Sequence, residues 1–346
     1  MRDSLSTRQT NQRRKKEHLH IALNADVSSG LSTGLEDYRF IHRALPEIDL
    51  ADVDTSARLF GRRLNAPIVI SPMVGGIDEA TVINRNLAQA AQELGLAMGV
   101  GSQRCSIDER ETCRTYRVRD LAPDILLFAN LGAVQLKYGY TIVQCQQAVD
   151  MIGADALVLH INPLQEALQR DGNTAFGGLL AKIEQVCRAL SVPVIVKEVG
   201  FGISEDVATK LVEAGVAGID VAGAGGTSFS RVESLRDERV SGAASDGFSS
   251  WGIPTAESLR MVRRAAPVLP VIASGGIRTG VDVAKAIAIG ADAAGIATPL
   301  LKAASVSAEE VLSLLRSIVN ELRISMFCVG AASIGTLRDS PFLVRK

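Results

Sequence analysis

Residues 160–166 read His-Ile-Asn-Pro-Leu-Gln-Glu and follow directly on the apolar run Asp155–His160. A histidine, two amides and a carboxylate within one short turn could move protons, orient a polar substrate and hold a hard cation. His160 could act as a base or as a hydrogen-bond donor. Glu166 suits Mg²⁺, which takes one or two carboxylates and fills its shell with phosphate oxygens and water. A second reactive position is Lys197, at the end of the apolar run Val192–Lys197. Three readings of it stay open: a Schiff-base nucleophile, a fixed cation beside an electron-accepting ring, or half of an ion pair with Glu198 or a neighbour.

Glycine marks the other candidate positions. Ser274-Gly275-Gly276-Ile277-Arg278-Thr279-Gly280 follows one apolar run, and Gly295-Ile296-Ala297-Thr298 ends the next. Glycine bares backbone N–H groups, and a following helix start favours negative charge, so such turns can bind phosphate, with Arg278 adding charge. The plainer reading is a pair of ordinary strand-to-helix turns. Gly223-Ala224-Gly225-Gly226-Thr227 is a third such turn, and the basic run Arg13–Lys16, with His18 close behind, reads as a solvated tail unless it folds over an anion.

The elements that must position these residues repeat along the chain. From Pro67 onward, short apolar and β-branched runs alternate with stretches of helical period. The runs are Pro67–Ser71, Leu96–Val100, Ile125–Asn130, Asp155–His160, Val192–Lys197, Gly218–Val221, Pro270–Ser274 and Asp292–Ile296. Amphipathic stretches such as Glu79–Leu94, Ser204–Glu213 and Val281–Ile289 lie between them, and Gly95, Gly153, Gly215 and Gly290 close several. Eight such units predict an α/β fold, a (β/α)8 TIM barrel, with an open doubly wound sheet as the alternative. Residues 1–65, with helix-like patches near Lys15–Leu23, read as an N-terminal arm and cap region, and residues 66–346 as the barrel, closed by a last helix near Ala308–Met326. The long gap from Val221 to Pro270 predicts an insertion over the site. Barrel active sites lie at the C-terminal strand ends, which is where Ser71, Ser102, Arg104, Asn130, His160, Lys197 and Ser274 fall.

Composition removes other classes. Thirty-seven Lys+Arg against 38 Asp+Glu give a net charge of -1, which argues against nucleic-acid binding, and aromatics at 4% supply no stacking platform. Five scattered cysteines without a C-x-x-C pair make neither a disulfide framework nor a zinc site and suit a reducing cytoplasm. No apolar run reaches membrane-spanning length, so a soluble, cytoplasmic protein is expected.

Taken together and in order, these motifs resemble the type 2 isopentenyl-diphosphate delta-isomerases. The resemblance rests on R-K-x-x-H at Arg14, Lys15 and His18, M-x-G-G at Met73–Gly76, G-S-Q-R at Gly101–Arg104 and H-x-N-P-x-Q-E at His160–Glu166. K-E-V-G-F-G at Lys197–Gly202, A-G-A-G-G-T-S at Ala222–Ser228, W-G-I-P-T at Trp251–Thr255 and the Ser274–Gly280 loop complete it.

The resemblance implies FMN reduced by NADPH, Mg²⁺ on a substrate diphosphate, and interconversion of isopentenyl and dimethylallyl diphosphate by a 1,3-allylic proton shift in a homotetramer or octamer. It would place FMN on Pro72, Met73, Val74, Ser102, Asn130, Lys197 and Thr227, and its phosphate on Gly275, Gly276, Ile277, Arg278, Ala297 and Thr298. Substrate would meet Arg14, Lys15, His18, Ser102, Arg104, His160, Asn162 and Gln165, with Glu166 on the metal. Gln165 would face the alkene, Glu233 would relay protons with it, and Lys197 would stabilise the anionic reduced ring. Val74 stands where the family often has Thr, which removes one side-chain hydroxyl from the flavin loop. The rival enzyme classes are an FMN-dependent 2-hydroxy-acid oxidase, which needs a late histidine that this chain lacks after His160, and a Schiff-base aldolase on Lys197. A flavin- or diphosphate-binding sensor is the non-enzyme rival.

Overall fold

A computed structural model describes residues 2–236, 247–338 and 340–346. Eight parallel strands close into a barrel in chain order: β1 (Ile68–Ile70), β2 (Ala97–Gly99), β3 (Leu127–Gly132), β4 (Ala156–His160), β5 (Val194–Lys197), β6 (Gly218–Asp220), β7 (Val271–Ser274) and β8 (Ala293–Ile296). Each overlaps one of the eight expected runs, β3 lying two residues later than the expected Ile125–Asn130, and β8 pairs with β1 to close the ring. The expected helices follow: Asp78–Leu94, Glu205–Glu213, Gly280–Ile289 and a closing helix Ala308–Cys328. The gap after β6 carries the helix Phe229–Arg236, here the mouth helix, before Thr255–Ala265 resumes the repeat.

Strand side chains alternate between faces, and the burial follows that period. Ile68, Ile70, Leu157, Leu159, Val194 and Val196 pack outward against the helices. Val69, Ala97, Phe128, Ala156, Val158, Ile195, Ile272 and Ala293 fill the barrel interior. The floor below them is closed by a hairpin, Ala57–Leu59 with Arg62–Leu64. Its tip residue Phe60 has a φ of 46° and meets Phe128 edge-to-face at 6.0 Å. A methyl group on Gly218 would lie 2.7 Å from the Phe60 ring, so β6 needs glycine at that level.

The same clasp ties the lower strand ends twice, four strands apart. Arg119 donates to the carbonyls of Ala122, Ile125 and Gly153 and to Asp155, whose carboxylate accepts the Leu127 amide. Arg263 repeats this with Ala266, Leu269, Gly290 and Asp292, which accepts the Val271 amide.

The first segment is ordered differently from the sequence expectation. Arg2–Asn24 is one helix of 23 residues, here the arm helix, instead of patches within a tail. It carries no apolar stripe, so periodicity alone does not reveal it. Its support comes from Leu19, buried in the main core, and from polar side chains that reach the barrel mouth. The chain then runs over the loops after β6 and β7, with Ser228 N donating to Val27 O and Ser29 N to Gly226 O. Tyr38–Phe40 finally pairs antiparallel with the C-terminal strand Leu343–Arg345.

Candidate active site

One step further along each strand, the inward positions turn polar. Ser71, Asn130, His160, Lys197, Asp220 and Ser274 replace the apolar residues of the interior layer, and all but His160 are buried. Lys197 pairs in register with Asp220 on β6. Its ammonium lies 3.5 Å from Asp220 Oδ2 and donates to the Glu198 carbonyl at 2.9 Å. Asp220 Oδ1 in turn accepts from Ser274 Oγ at 2.5 Å. Of the readings open for Lys197, the ion pair is thus present, and the partner is Asp220. The Glu198 side chain turns away and accepts the amides of Val199, Gly200 and Phe201 at 2.6–2.7 Å. Burial pushes that carboxyl up to about 7 against the pull of these amides and of Lys197.

His160 Nδ1 lies 2.9 Å from Asn130 Oδ1. Asn130 Nδ2 donates to the Val100 carbonyl, so its oxygen faces the histidine and the imidazole proton resides on Nδ1. Nε2 is left with its lone pair. Burial, then Lys197 and Lys15, lower the His160 pKa to about 4, so the ring is neutral at pH 7.

The turn after β4 enters the helix Pro163–Leu168 and forms a second polar chain with the mouth helix. Asn162 Nδ2 donates to Gln165 Oε1 at 3.0 Å and to Glu166 Oε1 at 3.2 Å. Gln165 Nε2 reaches Glu233 Oε1 at 3.3 Å. Glu233 is 1% exposed and is held by Arg236, which also contacts Glu17 of the arm helix at 3.0 Å. His18 Nε2 stands 2.9 Å from Glu233 Oε1, without the alignment of a hydrogen bond. Burial works to raise the Glu233 pKa, and His18, Arg236 and Gln165 outweigh it, so the carboxylate is held ionised.

The basic run also takes its place at this mouth. Lys15 donates all three ammonium protons: to Gly75 O at 2.8 Å, Ser102 O at 2.9 Å and Tyr116 Oη at 2.7 Å. It thereby pins the arm helix to the turns after β1 and β2. Arg14, half-buried, lies near Arg104 and Arg236 with Glu166 as counter-charge, and burial and Arg104 lower its pKa. Arg13 and Lys16 face outward.

The remaining expected residues ring the same opening. Pro72, Met73, Val74 and Ser102 are half-buried, as are Thr227, Gly275, Gly276, Ala297 and Thr298. Val74 serves through its backbone, its carbonyl accepting from Gly101 N and Asn84 Nδ2. Thr227 and Thr298 join the loops after β6 and β8 by a hydroxyl contact of 2.6 Å. Ile277 is buried, while Arg278 is exposed and gives its amide to Asp282. Tyr116, Asp220, Asn173 and Arg236 belong to the site and were absent from the sequence reading. A carboxylate inside the apolar run Gly218–Val221 was the signal for Asp220, and the spacing of three from Glu233 was the signal for Arg236. Tyr116 and Asn173 lie in irregular segments and gave none. A cavity of about 400 Å³ lies elsewhere, among Tyr38, Phe40, Lys285, Cys328 and Val329, and lacks this convergence of groups.

Comparison with known proteins shows the family and the fold. A profile of the FMN-dependent dehydrogenase family matches residues 26–117 and 159–344. An isopentenyl-diphosphate delta-isomerase of Synechococcus sp. is 55% identical over 327 residues, 94% of each chain. The chain belongs to the isopentenyl-diphosphate delta-isomerase family. Members from Nostoc sp. and Rickettsia bellii are 51% and 49% identical over 336 and 329 residues, at least 95% of each chain. Solved structures of mandelate oxidase with (S)-2-phenylpropionate and with 3,3-difluoro-2-hydroxy-3-phenylpropionic acid share the fold. Their TM-scores are 0.66 and 0.64 at 23% and 21% identity, over 96–97% of each chain. Among the described residues no helix is long and apolar enough to cross a membrane.

The residues of this family member fit a phosphate-bearing ring cofactor. The loops after β6 and β7 meet backbone to backbone: a methyl group on Gly275 would fall 2.1 Å from Gly223 O, and one on Gly226 would fall 2.5 Å from the Gly276 amide nitrogen. Glycine lets the two loops pack this closely and leaves Gly275 and Gly276 half-buried at the mouth. Ser71 Oγ is buried with no partner at the end of β1, a polar atom left for a ligand. A divalent cation fits more narrowly. Asn162 Oδ1 is likewise buried and unpartnered beside Glu166, whose Oε2 accepts the Asn173 amide at 2.6 Å. No cluster of three acidic, histidine or cysteine side chains exists among the described residues, so a cation here depends on ligand oxygens.

Proposed function

We propose that the chain interconverts isopentenyl and dimethylallyl diphosphate by a 1,3-allylic proton shift, using FMN reduced by NADPH, with Mg²⁺ beside the substrate diphosphate. The observation that supports this reading best is the buried chain Asn162–Gln165–Glu233 next to the cationic pocket of Arg14, Arg104 and Arg236. Reduced FMN, when bound, supplies an electron-rich ring able to exchange a proton with an unactivated alkene and to stabilise positive charge beside it.

This chain's residues do the rest. Arg14, Arg104 and the turn from His160 to Asn162 bind the diphosphate, a double charge that relieves the repulsion between the arginines. Lys15 holds the arm helix down, so that Arg14 and His18 reach the mouth. Glu166 and Asn162 Oδ1 would hold Mg²⁺ against the diphosphate oxygens. Glu233 is the fixed, ionised base of the set, and Gln165 connects it to the substrate side. Lys197 would lie at the electron-accepting edge of the ring, while Met73, Ser102, Thr227 and the Gly275–Ile277 turn would hold FMN and its phosphate. The same reading carries a homotetramer or octamer in the cytoplasm.

The purified protein is expected to be yellow and to isomerise only after reduction. Turnover by a flavin-free preparation would falsify the proposal. Glu166→Gln is expected to raise the Mg²⁺ concentration needed for half-maximal rate at least tenfold; an unchanged requirement removes Glu166 from the metal.

A further inference from the structure

Lys197 and Asp220 are neighbours in register on β5 and β6, both buried, inside a barrel whose lower interior is wholly apolar. A buried ammonium without a counter-charge is costly, and the ionisable groups around this one are few. Asp220 Oδ2 faces it at 3.5 Å from β6, and Glu198 offers its backbone carbonyl while its carboxylate is turned into the amides of its own loop. From β4, His160 stands in register with Lys197 but turns its Nδ1 to Asn130 Oδ1 at 2.9 Å. From β7, Ser274 brings only a hydroxyl, and it donates that proton to Asp220 Oδ1, fixing the carboxylate from its far side. Ser274 Oγ lies 3.5 Å from the ammonium as well, so the three side chains form a closed triangle.

We propose that Asp220, fixed by Ser274, is a positioning residue that holds the Lys197 ammonium in place and cancels much of its charge, so that the flavin meets a nearly neutral pair. This rests on the FMN reading above and deepens it. A bare lysine would favour negative charge on the ring and make the cofactor a stronger electron acceptor, as suits an oxidase. A balanced pair leaves the reduced ring richer in electrons and easier to protonate, as an acid–base role without net redox change demands.

The test uses the flavin-loaded protein and two readouts independent of turnover: the dissociation constant for sulfite, whose flavin adduct is anionic, and the flavin midpoint potential. With parent and variant compared at one pH, Asp220→Asn is expected to bind sulfite on the order of tenfold more tightly, the scale of one uncompensated charge in a buried site. Its midpoint potential should rise. In the double variant Lys197→Met with Asp220→Asn, both values should return towards those of the parent. Sulfite affinity and potential unchanged in Asp220→Asn overturn the inference while leaving the FMN reading intact. If Asp220→Asn does not load flavin, recovery of loading in the double variant supports the pair, and failure of both overturns it. A parent protein that takes up no FMN defeats the cofactor reading itself and the inference with it.

Discussion

The floor and the mouth of this barrel are built from the same strands and differ in almost every physical property. Val69, Phe128, Val158, Ile195 and Ile272 point into a dry layer sealed from below by Phe60. Two residues further along each strand, about 7 Å, the inward positions are Ser71, Asn130, His160, Lys197 and Ser274. Period-two alternation thus delivers stabilising and reactive side chains to one interior at different heights. The lower layer gains from burial, and the upper layer spends part of that gain on desolvated charges and orphan polar atoms. Stability and activity should therefore separate by height.

The sharpest way to break that separation is a pair of substitutions. Glu233→Gln at the mouth is expected to lower kcat by about 10²–10⁴-fold, the usual contribution of a positioned acid–base group. The fold should persist, because Arg236 keeps Glu17 as a partner. Phe128→Ala at the floor should cost about 3–5 kcal/mol of stability while kcat at permissive temperature stays within a few-fold of the parent. Kinetics and thermal melting on both variants decide it; a Phe128 variant that loses activity in step with Glu233→Gln refutes the layered picture.

The layering also explains what the sequence could reveal. The eight strands were legible because runs buried on both sides are apolar and end in polar residues, so each boundary is also a site marker. Lys197, His160, Asn162 and Gln165 were visible for that reason. Asp220 shows the limit of reading loops alone, since it is a strand residue whose role needs the register with Lys197. The repeated clasp was present as R-x-x-A-P followed by G-A-D-A, at Arg119–Ala156 and again at Arg263–Ala293. The arm helix was legible only in its second half, near Lys15–Leu23, for a physical cause: it sets Lys15, Arg14 and His18 against other elements, and no local period records such pairing.

A smaller effect sharpens the contrast through pH. The His160 pKa is about 4 in the fold, against about 6.5 in an unfolded chain. Between these values the unfolded chain binds the extra proton, so stability falls as pH drops from about 6.5 to about 4, by about 3 kcal/mol at the lower end. Glu198 works in the opposite sense, its raised pKa favouring the fold more at low pH than at pH 7. The two overlap, so the measurement is the difference between parent and His160→Gln. The variant should lose its acid-side decline by about 2–3 kcal/mol between pH 7 and pH 4.5. Parallel curves would mean that His160 is already solvated in the parent.

The weakest expected effects divide the arm helix itself. Arg13 and Arg14 are adjacent, yet Arg13 is an exposed partner of Glu17 one turn along, while Arg14 turns inward towards Arg104 and Arg236. An exposed pair of that kind contributes under about 0.5 kcal/mol, so Arg13→Gln should leave both KM and the melting temperature unchanged. Arg14 repels the other arginines when no anion is bound. Arg14→Gln should therefore leave the ligand-free protein as stable as the parent or slightly more so, while losing a charge-assisted contact of about 1.5–3 kcal/mol to a diphosphate. That loss reads as a KM raised about tenfold or more, with added salt narrowing the difference between the two proteins. If both substitutions raise KM equally, the arm acts as a diffuse positive patch and Arg14 has no place of its own at the mouth. If Arg14→Gln lowers the melting temperature instead, Glu166 already balances its charge, and the cationic pocket is satisfied without a ligand.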